Sequence, residues 1–258
     1  MRGEEAYSVR GKREPESGRG MTRFYVPTRG VESWKALLAD PDRHWKAARS
    51  AYEAAHSWEA ASSSPRGLPP EVARVLDTSP DTAGAELVIG LPEHRVALPG
   101  GGHASQNDLW ALLRAGPSTI SMAVEAKAGE RLGETVGEWR SDASPRSGKP
   151  VRLAAIRELL ALDGIDLDPV RYQLLHRAAS ALIEAERFGA ARALVLVQAF
   201  GGVADAKSLA DVGGFAGLYG RDFEKGRVVH LTDSTPVPLF VAWVDSPLAH
   251  SRLEAGQA

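Results

Sequence analysis

The chain has 258 residues, of which 43% are hydrophobic and 25% are charged, and its formal net charge is −2 at pH 7. This composition excludes a wholly disordered protein, and the absence of Cys excludes disulfides, thiolate catalysis and a Cys-ligated zinc site. The nearly neutral charge gives no overall attraction to nucleic acid, so a polyanionic partner would need a local basic groove.

The N-terminal sequence shows neither a signal peptide nor a hydrophobic period. Residues 1–22 alternate charged residues with Gly and Pro, so we predict a disordered tail there and a single α/β domain over residues 23–258. No apolar run approaches the roughly 20 residues that a helix needs to cross a bilayer. We therefore expect a cytoplasmic protein with no membrane partner.

The predicted elements change from helical to extended and back along the chain. Three helices are predicted first, at residues 32–38, about 43–61 and 68–76. From residue 86 the hydrophobic period becomes that of strands. The later elements are strand 86–98 with a kink at Pro92, a hairpin of strands 108–114 and 119–127, a polar stretch 128–150, helices 151–162 and 169–188, strand 193–197, a helix near 207–219 and strand 238–244.

This order of elements predicts a mixed sheet. The hairpin makes its two strands antiparallel, and a helix after it can carry the chain across to a parallel partner. We therefore expect an α/β fold with helices flanking a mixed sheet and with a helical N-terminal extension.

The segment Glu125-Ala126-Lys127 ends a strand that has small residues on one face. Because side chains alternate along a strand, Ala123, Glu125 and Lys127 share that face, which leaves space beside the two charges. The hairpin would bring Asp108, at the start of the neighbouring strand, alongside Glu125. Two carboxylates suit Mg²⁺, and a nearby lysine can orient a metal-bound water and offset negative charge during attack on a phosphodiester.

The triplet of an acidic residue, any residue and lysine is not specific by itself. A second copy, Asp205-Ala206-Lys207, follows two glycines, and about one copy is expected by chance in a chain of this composition. A solvated ion pair, worth at most about 1 kcal/mol, explains Glu125 and Lys127 as well as a metal site does. On periodicity alone, both interpretations remain open.

Two predicted helices carry further candidates. Glu59 prolongs an apolar stripe of helix 43–61, so its carboxylate either reaches water near the helix end or is buried for a purpose. The first turn of helix 169–188 clusters Gln173, His176 and Arg177, which are donors suited to a phosphate or to a carboxylate of a metal site. Further along that helix, Glu184 is predicted to lie on a solvated face.

Four short motifs stand in order along the chain: HSWEAA at 56–61, SQNDL at 105–109, VEAK at 124–127 and YQLLHR at 172–177. Together with the order helix, three strands, helix and strand, they resemble an uncharacterised bacterial family with the fold of the PD-(D/E)XK nuclease-like superfamily. The resemblance covers about residues 30–220. It implies a restriction-endonuclease-like fold with a core at about 43–200, followed by a helix and strand within 205–245.

The resemblance also implies roles for particular residues. Asp108, Glu125 and Glu59 would bind Mg²⁺ or Mn²⁺, and Lys127 would assist the attacking water as the catalytic lysine beside Asp108 and Glu125. Gln173 would support the site from the second helix, together with its neighbours His176 and Arg177. Asn107 stands where the superfamily often has a proline before the aspartate.

These residues lead to one expected function and two rivals. We expect a metal-dependent nuclease that hydrolyses phosphodiester bonds in DNA. The first alternative is a catalytically inactive nuclease-like fold that binds nucleic acid or another protein, because the superfamily includes members that have lost cleavage activity. The second is a metal hydrolase of a small phosphate ester. The sequence indicates neither an oligomeric state nor a sequence specificity.

Overall fold

A six-stranded mixed sheet lies at the centre of the fold in a computed structural model that describes residues 29–144, 147–202 and 206–250. The predicted tail at residues 1–22 lies outside the described residues. The strands run in the order β1-β2-β3-β4-β6-β5 across the sheet. Their bounds are β1 Glu86–Val96, β2 Ser105–Ala115, β3 Ser118–Lys127, β4 Arg192–Phe200, β5 Val228–Thr232 and β6 Leu239–Ser246.

The strand directions confirm the predicted mixed sheet. β1, β2 and β3 are successive antiparallel neighbours, and Gly116 takes a positive φ of 56° in the tight turn between β2 and β3. β4 pairs with both β3 and β6 in parallel, and β5 closes the sheet as an antiparallel edge strand. The predicted strand 193–197 is the continuously buried centre of β4, as expected for a strand covered on both faces.

Helices cover the two faces of this sheet. Their bounds are α1 Glu32–Lys35, α2 Pro41–His44, α3 Ser50–Ala61, α4 Pro70–Leu76, α5 Val136–Arg140, α6 Lys149–Leu159, α7 Tyr172–Phe188 and α8 Ala206–Gly217. One face of β3, with Met122 and Val124, packs under α3 and α4, whereas Ala123 on the other face packs in the core that includes α7. Because side chains alternate along β3, Glu125 and Lys127 lie on the face of the sheet that packs against α7.

The predicted helix 43–61 is wrong in its first half. The chain forms the short α2, leaves the helical conformation at Trp45 and re-enters it only at Ser50. Ala48 adopts a left-handed φ of 61°, and its backbone N–H donates to Glu53 Oε1 at 2.8 Å instead of to a helical carbonyl. The side chain of Glu53 thus stabilises a turn where composition favours a helix.

Three further differences concern elements near the site. β2 begins at Ser105, so Asp108 lies inside the strand and not at its start, because polar residues 105–107 pair with β1. The predicted polar stretch 128–150 contains the short α5, which a capping box at Thr135 begins. The edge strand β5 was not predicted, since five residues beside a polar loop give a weak periodic signal.

The prediction that Glu184 is solvated is also wrong. Glu184 is 0% exposed, and its carboxylate lies 3.4 Å from the Nε2 atom of His94 on β1. α7 packs against β3 and β4 and also contacts β1 and β2, so part of its polar face becomes buried. Within the described residues, no helix is both long enough and apolar enough to cross a membrane.

Candidate functional site

Asp108, Glu125 and Lys127 converge at one end of the β2–β3 pair. Leu109 pairs with Val124 in this ladder, so Asp108 and Glu125 are the next residues along the two strands. The backbone N–H of Ala126 donates to Asp108 Oδ2 at 2.7 Å, and Lys127 Nζ donates to Glu125 Oε1 at 2.5 Å. All three side chains line a cavity of about 520 Å³, here called the acidic cavity.

The carboxylate of Glu125 is held by residues of α7 as well as by Lys127. Gln173 Nε2 donates to Oε1 and Arg177 Nε donates to Oε2, both at 2.6 Å. Burial opposes the charged form of Glu125, but the charges of Arg177 and Lys127 outweigh it and lower its pKa. Glu125 is therefore a buried anion whose two oxygens are both engaged, and the crossover helix α7 supplies two of its three partners among the described residues.

Lys127 remains charged in the same cavity. Burial opposes its charged form, but Glu125 and Asp108 together outweigh the burial and raise its pKa. Lys127 therefore contributes a fixed positive charge beside the two carboxylates, and it is not a base at neutral pH.

Glu93 is a third carboxylate of the acidic cavity, and the sequence interpretation missed it. The pairs Pro92–Leu109 and His94–Asn107 flank it, which places Glu93 across from Asp108. Its φ of 51° is in the left-handed region, which is unusual for a residue other than Gly, and such conformations cluster at functional sites. The only signal in the sequence was an acidic residue next to the predicted kink at Pro92.

Glu93 and Asp108 oppose each other's ionisation. Burial, and then the charge of Asp108, raise the pKa of Glu93 to about 8, although Gln106 Nε2 donates to its Oε2 at 2.6 Å. Burial, and then the charge of Glu125, raise the pKa of Asp108 to about 7. Two carboxyl groups that titrate near neutrality in one cavity are a recognised signature of a functional site.

His176 and Arg177 form a hydrogen-bonded cluster with Ser105 behind Glu125. Ser105 Oγ lies 2.8 Å from His176 Nδ1 and accepts from Arg177 Nη1 at 3.0 Å. Burial, followed by the charge of Arg177, lowers the pKa of His176 well below its ordinary value. His176 is therefore neutral at physiological pH, and Arg177 links it to the carboxylate of Glu125.

Glu59 does not join these residues. The α3 residues that line the acidic cavity are Ser50 and Ala51, and Glu59 lies at least eight residues further along that helix, or about 12 Å. Its Oε1 accepts a hydrogen bond of 2.7 Å from Trp34 Nε1 on α1. Glu59 therefore lies in the last turn of α3, whereas the acidic cavity lies beside the first turn of that helix.

Part of the lining of the acidic cavity is basic, and this part is here called its basic wall. Arg43 and His44 at the end of α2 and Arg49 before α3 line it, together with Glu130 after β3. The break between α2 and α3 turns these side chains toward the acidic cavity. Arg43 and Arg49 therefore place two positive charges at this cavity despite the net charge of −2.

Asp108 and Glu93 are the side chains best suited to hold a divalent cation. In the described residues, each makes a hydrogen bond through one carboxylate oxygen only. Across the same parts of the chain, no set of three or more acidic or histidine side chains is arranged to enclose a metal ion as it stands. Glu125 would have to release Gln173 or Lys127 to complete such a set.

Comparison with known proteins identifies a family but no characterised relative. No curated protein matches the chain, and no solved structure matches it. Residues 27–248 match the family described as Domain of unknown function (DUF6946), a range that includes every residue of the site. The chain therefore belongs to the DUF6946 family.

Proposed function

We propose that this protein is a metal-dependent nuclease of the PD-(D/E)XK type that hydrolyses phosphodiester bonds in DNA. The observation that carries the proposal is the convergence of Asp108, Glu125 and Lys127 from two adjacent strands in one cavity. The order of α3, the antiparallel strands β1 to β3, the crossover helix α7 and the parallel strand β4 supports the same assignment.

The donor set fits a hard cation such as Mg²⁺ or Mn²⁺. Asp108 and Glu93 are half-buried carboxyls whose pKa values are raised by desolvation and by neighbouring carboxylates, so a cation held by both would relieve that repulsion. A bound cation would supply Lewis acidity at a phosphoryl oxygen and lower the pKa of a water molecule. Asp108 and Glu93 would hold it, with Glu125 as the third ligand.

The other residues of the acidic cavity have separate tasks in this proposal. Lys127 places its ammonium next to the carboxylates, where it can orient the attacking water and stabilise the negative charge that develops on the phosphate. Arg177 and Gln173 hold Glu125 in position through their bonds to its two oxygens. Arg43, His44 and Arg49 face the acidic residues and would bind the phosphates of the strand.

A second candidate is a nuclease-like protein that binds nucleic acid without cutting it. The observation that favours it is the engagement of both Glu125 oxygens by Lys127, Gln173 and Arg177. A carboxylate paired with a buried guanidinium is a poorer metal ligand than a free one, because the cation must compete with Arg177.

Asp108→Asn is the sharpest test of the nuclease proposal. The amide oxygen can still accept the Ala126 N–H, but the variant cannot supply a carboxylate to a cation. We expect wild-type protein to cut supercoiled and linear DNA with Mn²⁺ or Mg²⁺, and we expect Asp108→Asn and Lys127→Ala to lose cleavage by about 10²-fold or more. Asp222→Asn removes the same charge from an exposed loop and should cut like wild type.

The two candidates differ in what these assays show. Cleavage that persists unchanged in Asp108→Asn or Lys127→Ala would contradict the nuclease assignment. DNA binding without cleavage, together with no Mn²⁺ binding by calorimetry, would favour the non-catalytic alternative.

A further inference from the structure

A second cavity, of about 210 Å³, adjoins the acidic cavity and shares Gln106 and Gln173 with it. It lies between the start of α6, the first turns of α7 and the loop before β2, and it is here called the basic cavity. Its charged and aromatic lining consists of His103, Arg152, Tyr172, His176 and Arg177, and no described carboxylate lines it. The basic cavity therefore differs from the acidic cavity in having no carboxylate to balance its cations.

Arg152 carries a charge that no described carboxylate neutralises. Its guanidinium donates to the carbonyl oxygens of Pro99 and Gly101, and it forms no ion pair within the described residues. These bonds to the loop before β2 hold the guanidinium in place at the rim. Because carbonyl oxygens do not compensate a full positive charge, the fixed guanidinium is predisposed to bind an anion.

Tyr172 adds a hydroxyl group whose proton has no acceptor among the described residues. Its Oη atom is buried, which raises its pKa, and the hydrogen bonding and charge of Arg152, a side chain that can only donate, oppose that rise. The ring itself is fixed by stacking on Trp139, with ring centroids 3.9 Å apart and an interplanar angle of 11°. A buried hydroxyl proton without an acceptor is costly unless a ligand or water accepts it.

The causes of the low pKa of His176 indicate an excess of positive charge around the basic cavity. After burial, the cations that lower the pKa of His176 are Arg177, Arg152 and Lys127. Only part of this charge is balanced, because Glu125 pairs with Arg177 and Lys127 on the acidic side. An anion in the basic cavity would balance Arg152 and accept the Tyr172 hydroxyl proton in a hydrogen bond.

We propose that the basic cavity is a phosphate-binding subsite that holds a second phosphate of the nucleic-acid strand next to the one at Asp108 and Glu125. Its volume is below the roughly 300 Å³ of typical small-molecule pockets, so it admits a phosphate group but not a whole nucleotide. Arg152 and Tyr172 are its specificity-determining residues. The proposal rests on the proposed function, since that function supplies a strand whose phosphates follow one another.

Binding measured without metal tests the subsite independently of cleavage. The variants are Arg152→Gln, which removes the charge, and Tyr172→Phe, which removes only the hydroxyl and keeps the stacked ring. Arg114→Gln removes a guanidinium from the far end of the hairpin and is the matched control. In EDTA, we expect Arg152→Gln to weaken binding of a short DNA duplex about tenfold and Tyr172→Phe to weaken it several-fold, with Arg114→Gln unchanged.

Two duplexes distinguish the source of the phosphate. If it is a terminal phosphate, a 5′-phosphorylated duplex binds more tightly than a 5′-hydroxyl duplex, and Arg152→Gln removes that difference. If it is an internal phosphodiester, Arg152→Gln weakens both duplexes equally. In either case, calorimetry with inorganic phosphate alone should show binding to the wild type that Arg152→Gln and Tyr172→Phe reduce.

The outcomes separate this proposal from the nuclease assignment. Equal affinities of wild type, Arg152→Gln and Tyr172→Phe for inorganic phosphate and both duplexes would overturn the subsite, even if the protein cuts DNA. Conversely, a loss of phosphate binding in these variants would support the subsite even if no cleavage occurs.

Discussion

Glu93 and Asp108 are two residues whose charge near neutral pH is set by their surroundings. Both are carboxyls in the acidic cavity, and their pKa values are raised to about 8 and about 7. Both groups therefore change charge within the pH range in which proteins are normally studied. Arg177 and Lys127, by contrast, pair with Glu125 and give the site its fixed charges.

Stability of the metal-free protein should depend on pH through these two carboxyls. Because their folded-state pKa values lie above the unfolded value of about 4, their contribution is fully present below pH 4 and is lost as pH rises through about 7 and 8. The free energy of unfolding should fall across this interval by up to about 1.4 kcal/mol per pH unit for each carboxyl. Urea unfolding in EDTA at several pH values measures this fall in the free energy of unfolding.

The same titration should govern metal affinity. A cation competes with the two protons, so Mn²⁺ binding measured by calorimetry should tighten as pH rises from about 6 to 9. Asp108→Asn should flatten both pH dependences, and Asp222→Asn should leave both as in the wild type. A slope of unfolding free energy that is the same in wild type and Asp108→Asn would show that Asp108 does not titrate as described.

At the scale of elements, the contact between α6 and the loop before β2 shapes the basic cavity. A Cβ atom added to Gly148 would overlap the carbonyl oxygen of Gly100, and one added to Gly100 would lie 2.5 Å from the carbonyl oxygen of Gly148. Gly148 has an ordinary φ of −71°, so only the close approach requires a glycine there. This contact brings Arg152, one turn into α6, up to the loop whose carbonyls it binds.

Gly148→Ala should therefore destabilise the protein by about 1–3 kcal/mol, because the added methyl group forces the loop away from α6. It should also weaken phosphate binding, since the loop and Arg152 together form the rim of the basic cavity. The matched control is Gly214→Ala, which lies in α8 with open space around it and should be neutral or stabilising by up to about 1 kcal/mol. Thermal unfolding compares the two, and equal melting temperatures would refute the close contact.

Across the whole molecule, Glu53 joins segments that are distant in sequence. One carboxylate oxygen accepts the N–H of Ala48 before α3 at 2.8 Å, and the other accepts the N–H of Ala249 after β6 at 2.6 Å. This buried side chain thus ties the C-terminal segment to the turn that carries the basic wall of the acidic cavity.

Glu53→Gln should cost about 1–3 kcal/mol of unfolding free energy, because its amide group puts a donor where one backbone N–H needs an acceptor. Glu32→Gln, on an exposed position of α1, should change stability by less than about 0.5 kcal/mol. Urea denaturation measures both. Equal midpoints for Glu53→Gln and Glu32→Gln would mean that the link between the two segments is dispensable.

Hydrophobic periodicity was sufficient to predict most of the framework. The hairpin of β2 and β3, the buried strand β4 and the helix α7 have patterns set by local residues, and the mixed sheet follows from their order. The alternation of β3 also placed Glu125 and Lys127 on one face, and the hairpin brought Asp108 beside them. These features depend on the spacing of residues along the chain, which can be read directly from the sequence.

Long-range packing decided the rest. Glu93 joins the site only because β1 pairs with β2 and its φ is positive, and Glu184 is buried only because α7 also covers β1. Glu59 is separated from the site because the acidic cavity lies beside the first turn of α3, whereas Glu59 lies in its last turn and binds Trp34 on α1. Such outcomes depend on contacts between residues far apart in sequence. The energies of these contacts override the small local preferences from which helices and strands are predicted.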